Sequence, residues 1–138
     1  MKIQILRENQ QAIENYTKII VGDNQIDLSS ISDNECSFIL ANDVLDSFSI
    51  ENIDQLIKSI LMKLRINGSI VIGGTDMRLF CKNVTNGSVD TGQASRIIGV
   101  VQSMTVLNDI VNLIRSSGLN IESTQITGIH YEIKATRG

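Results

Sequence analysis

The sequence predicts an α/β fold: a mostly parallel sheet with helices on both faces and an antiparallel closing strand. Three observations predict it. Short β-branched and apolar runs alternate with helix-like segments, the pattern of right-handed crossovers in a parallel sheet. "CSFILAND" (36–43) is apolar at consecutive positions, as in a strand covered on both faces. Residues 50–64 place Ile50, Ile53, Leu56, Ile57, Ile60, Leu61 and Leu64 at 3-4-3 spacing, one face of an amphipathic helix.

In chain order, "KIQIL" (2–6) is a first buried strand, and "RENQQAIENY" is a polar short helix or loop. "TKIIVGD" (17–23) is a second strand ending in Gly22-Asp23, and the Asp-, Asn- and Ser-rich run after it favours turns. The 50–65 helix takes Ser49 as N-cap and Asn67-Gly68 as its left-handed stop. A strand, "SIVIGG" (69–74), follows directly. Residues 75–92 read as an irregular excursion and 93–104 as an inserted helix. A helix over 105–116 follows, with Thr105 as N-cap, Gly118 as stop and Val106, Ile110, Leu113 and Ile114 as its buried stripe. "IESTQI" and "HYEIKAT" read as the last two strands, with Gly128 between or within them.

Composition narrows the function. With 138 residues and 42% hydrophobic side chains, the chain is expected to fold as one domain, residues 1–138. A net charge of −3, 4% aromatics and no tryptophan argue against nucleic acid as a partner. No apolar run approaches the roughly 18 residues of a membrane span, and "MKIQILRENQ" does not read as a secretory signal. A cytoplasmic location is expected. Cys36 and Cys81 lack metal-ligand spacing and are expected to be buried free thiols. A single histidine, His130, excludes His-rich zinc sites and any unit needing two histidines, so no metal is expected. Cys81 has no nearby basic cluster in sequence to make it a nucleophile.

The order of pieces resembles the class I S-adenosylmethionine-dependent methyltransferases, in particular their small, type 11-like members. The pieces are "KIQILREN", "YTKIIVGD", "IDLSSI", "DNECSFILANDVLDSF", "LRINGS", "GGTD" and "LIRSSGLNIESTQITGIHYEIKATR", which together span nearly the whole chain. The resemblance implies a Rossmann-like methyltransferase fold. It also implies S-adenosylmethionine as cofactor, with Asp23 on the ribose hydroxyls, Asp27 near the adenine, and Asn42 and Asp43 lining the pocket.

Two departures bear on chemistry. Where the family has a glycine-rich turn after the first strand, this chain has Leu6-Arg7-Glu8-Asn9, with no glycine before Gly22. Glycine there lets the backbone approach the cofactor, so cofactor binding is expected to be weak or absent. The family's two histidines after the third strand are replaced by Asp43 and Ser47, with Asp46 between them. Two functions follow as expectations. One is methyl transfer to an unknown acceptor, which needs little acid–base chemistry if donor and acceptor are held in line. The other is a catalytically inactive methyltransferase-like domain used for binding or assembly. The partner in either case is an unknown small molecule or protein, and the chain is monomeric or a homodimer.

Overall fold

A computed structural model describes residues 1–138. Six strands form one sheet: β1 (Lys2–Leu6), β2 (Thr17–Ile20), β3 (Cys36–Ala41), β4 (Leu64–Thr75), β5 (Leu119–Thr127) and β6 (His130–Arg137), in the order β2-β1-β3-β4-β6-β5. The first four pair in parallel. β6 runs antiparallel to both β4 and β5. Gly128, at φ 63°, turns the chain between the last two strands.

Four α-helices accompany the sheet: α1 (Ile53–Leu61), α2 (Met77–Thr85), α3 (Thr91–Val100) and α4 (Leu107–Ser116). Ile53, Leu56, Ile57, Ile60 and Leu61 of α1 and Ile110, Val111 and Ile114 of α4 are buried. They join Ile3, Ile5, Ile39, Ile70, Ile72, Ile133 and Ala135 in one core of 26 side chains. Strand residues alternate between faces, and paired residues share one. The opposite face therefore carries Phe38, Leu40 and Val71, all half-buried and outside that core. Tyr16 meets Phe38 edge-on on this side, with ring centroids 6.2 Å apart. No helix is long and apolar enough to cross a membrane.

Several local expectations are corrected. Residues 75–92 are not wholly irregular, because α2 occupies half of them. Its interior buries only Phe80, so no apolar stripe announced it. The inserted helix begins at Thr91 and ends at Val100, started by a capping box between Asp90 and Gln93. α1 is shorter than predicted. A 3-10 turn over Ile50–Asn52 precedes it, and exposed Ile50 lies outside its buried face. Ser49 makes no side-chain cap bond. Asn67-Gly68 does not stop the helix but kinks β4: Asn67 has φ 66°, and the β3–β4 register shifts between Cys36 and Phe38. Thr105 is not a helix cap either. Val106 holds that position, and the capping carboxylate is borrowed from Asp76. Cys36 is buried as expected, whereas Cys81 is exposed on α2, and both are free thiols.

Candidate functional site

The carboxyl ends of β1, β2, β3 and β4 and the start of β6 gather most of the polar side chains of interest. This is the edge where open α/β sheets bind ligands.

At the end of β1, the chain turns sharply. Gln10 N–H donates to the Arg7 carbonyl at 3.0 Å, and Arg7 N–H donates to Gln10 Oε1 at 2.8 Å. Gln4 Oε1 accepts from Ile13 N–H at 2.8 Å and its amide donates to the Gln11 carbonyl at 3.2 Å. These bonds hold residues 7–16 as a loop, where parallel strands usually carry a helix. Arg7 Nε donates to Ser47 Oγ at 2.6 Å, which ties the end of β1 to the turn after β3. Its Nη2 is buried without a partner.

The four residues that the resemblance marks for a cofactor sit around this edge. Asp23 is exposed and borders a depression of about 510 Å³ together with Arg7, Glu8 and Asn9. Asp27 lines an adjoining open groove of about 640 Å³, walled by Ile26, Phe48, Asn52 and Leu56. The Ser29 hydroxyl and then the Ser29 N–H donate to the Asp27 carboxylate at 2.6 and 2.9 Å, holding it below the usual carboxylate range. Asn42 is half-buried, its Oδ1 unpartnered, beside Gln4, Gln10 and Gln11 around a cavity of about 310 Å³. Asp43, at φ 57°, turns the other way, toward His130.

That last contact belongs to a cluster sequence reasoning did not assemble. The β4–β6 ladder sets Thr75 opposite His130. Asp43 Oδ1 lies 3.4 Å from His130 Nδ1, and Thr75 Oγ1 lies 3.5 Å from the same nitrogen. Buried Asp46 accepts from Thr75 N–H at 2.7 Å and from Thr75 Oγ1 at 2.9 Å. Burial pushes the Asp46 carboxyl up; the two Thr75 bonds oppose that, and the neighbouring Asp43 charge adds to it. Gly74 makes room for this packing, since a Cβ there would stand 3.1 Å from Leu45 Cβ and 3.3 Å from Asp46 Oδ1. No local signal links residue 130 to residue 43. Only the strand register does.

Asp76, at the end of β4, holds structure together. It is 4% exposed. One oxygen accepts from Leu79 N–H at 2.9 Å to start α2, and the other accepts from Leu107 N–H at 2.9 Å to start α4. Beneath it, the Thr105 hydroxyl and the Tyr131 phenol share a hydrogen bond of 2.5 Å, and burial raises the Tyr131 pKa.

No protein-family model matches the chain, and no curated protein matches it in sequence. Solved structures do match in fold. An O-methyltransferase family protein from Burkholderia thailandensis superposes with a TM-score of 0.62 at 14% identity, over 89% of this chain and 36% of that one. A protein from Pyrococcus horikoshii gives 0.60 at 12%, over 90% of this chain and 60% of that one. A SAM-dependent methyltransferase from Archaeoglobus fulgidus gives 0.61 at 9%, over 89% and 68%. The chain thus spans from about a third to two thirds of the length of these proteins. Its fold is the Rossmann-like fold of S-adenosylmethionine-dependent methyltransferases.

Proposed function

We propose that this chain is a methyltransferase-fold binding or assembly module that does not transfer methyl groups. The observation that carries this reading is Arg7. In place of a glycine turn, a guanidinium reaches from the end of β1 to Ser47 beyond β3, across the ground where the methionine part of the cofactor would rest. The residues present there do not fit that group. The loop over residues 7–16, pinned by Gln4 and Gln10, supports the same reading, because it leaves no helix to carry a glycine turn.

Methyl transfer to an unknown acceptor is the second reading. The 640 Å³ groove beside Asp27 favours it, together with the depression at Asp23. In that reading Asp23 and Asp27 would hold the ribose and adenine, and Asn42 and Asp43 would complete the pocket.

A melting experiment separates the two. A ligand at about 100 times its dissociation constant adds roughly 2.7 kcal/mol to the native state, a shift of several degrees for a domain of this size. The module reading predicts no shift with millimolar S-adenosylmethionine or S-adenosylhomocysteine. An upward shift that disappears in Asp23→Ala would replace it with the methyltransferase reading. A shift unaffected by Asp23→Ala would place a cofactor elsewhere and overturn the module reading as well.

A further inference from the structure

We propose that Asp43, Asp46 and His130 form a binding site for one divalent transition-metal ion of the zinc class, at the junction of β3, β4 and β6. One ligand atom from each of these side chains lies within 4.8 Å of the others. The proposal is independent of whether the chain binds S-adenosylmethionine.

The spacing of the two outer ligands argues for an ion. A hydrogen bond between a charged imidazole and a carboxylate is about 2.7–2.9 Å long. Asp43 Oδ1 and His130 Nδ1 stand 3.4 Å apart, too far for that bond. Two ligands on a tetrahedral ion with bonds of about 2.0–2.2 Å are separated by roughly 3.4 Å. That separation suits neighbouring ligands of a shared ion.

Asp46 supplies the second argument. It is 7% exposed, and no lysine or arginine pairs with it. A buried carboxylate is costly without a compensating positive charge. Thr75 occupies one direction on each Asp46 oxygen, and a carboxylate has about four lone-pair directions in all. Asp46 can thus keep both Thr75 bonds and still accept a cation. Asp43 and His130 have side chains 42% and 49% exposed, free to close the last ångström around an ion and to let one enter.

The donor set selects the metal. Imidazole nitrogen favours zinc-like ions over magnesium and calcium, which prefer oxygen alone. Three protein ligands leave a fourth tetrahedral position open to water or to a ligand's oxygen, as in zinc sites that do chemistry. A mixed set with one histidine differs from the His-rich sites that the sequence excludes.

Titration of the Cys81→Ser protein with Zn²⁺ by calorimetry, and with Co²⁺ by visible absorption, tests the proposal without interference from the exposed thiol. It predicts one ion per chain and tetrahedral cobalt bands. Affinity should fall at least tenfold in His130→Ala and in Asp43→Asn, and stay unchanged in Glu51→Gln. Both test positions are half-exposed, so their melting curves should stay close to the parent's and show that the fold survives. Absence of saturable binding would overturn the proposal. So would binding that neither His130→Ala nor Asp43→Asn weakens.

Discussion

The two halves of the sheet are built differently. From β3 to β5, the chain crosses from strand to strand through helices, and α1 and α4 seal one face of the sheet with apolar side chains. Before β3, residues 7–16 and 21–35 connect parallel strands without any helix. In the front half, side-chain hydrogen bonds among Gln4, Arg7, Gln10 and Ser47 tie the end of β1 to its own loop and to the turn after β3.

Substitutions should expose this asymmetry, with the largest losses at the rear. Ile57 is fully buried on α1. Ile57→Ala should cost about 2–5 kcal/mol in urea denaturation, through lost burial and a cavity. A loss under about 0.5 kcal/mol would mean that α1 does not anchor the core.

Asp76→Ala comes next. One carboxylate starts both α2 and α4, and a cap is worth about 1 kcal/mol. The expected loss is about 2 kcal/mol, and Asp76→Asn should recover part of it. A loss equal to a single cap would show that one of the two bonds contributes nothing.

At the front, Arg7→Ala removes one part-buried hydrogen bond to Ser47 and should cost about 1 kcal/mol or less. A loss as large as that of Ile57→Ala would erase the distinction between the halves.

The framework was legible in the sequence where apolar pattern decides structure. β1, β3 and the buried face of α1 follow from β-branched runs and 3-4-3 spacing, because burial is what those patterns encode. Features set by polar contacts at a distance were not. α2 buries a single large side chain and starts from a cap that also serves α4, so neither its existence nor Thr105's true partner shows locally. Asn67-Gly68 does give a left-handed turn, but inside a strand, since its sequence signal is the same in either setting. Asp43 and Asp46 were legible as polar groups at a strand end. His130 joins them only through the β4–β6 register, which no short motif specifies.

The smallest effect concerns the thiols. Cys36 is fully buried, and burial raises its pKa, which lowers its thiolate fraction. Cys81 is exposed. A neutral alkylating reagent should modify Cys81 in the native protein and Cys36 only after unfolding, and the denatured, unreduced chain should titrate two thiols. Rapid native labelling of Cys36 would show that the β3–β4 kink opens readily.

We propose that the front of this fold does not accept the methyl donor. Backbone amide chemical shifts of the labelled protein, followed while S-adenosylhomocysteine is added to millimolar concentration, test it most directly because they report where a ligand sits. The account predicts that the amides of Leu6–Asn9, Gly22–Asp27 and Asn42–Asp43 do not move. Saturable shifts at those residues would contradict it and return the crevice to the cofactor.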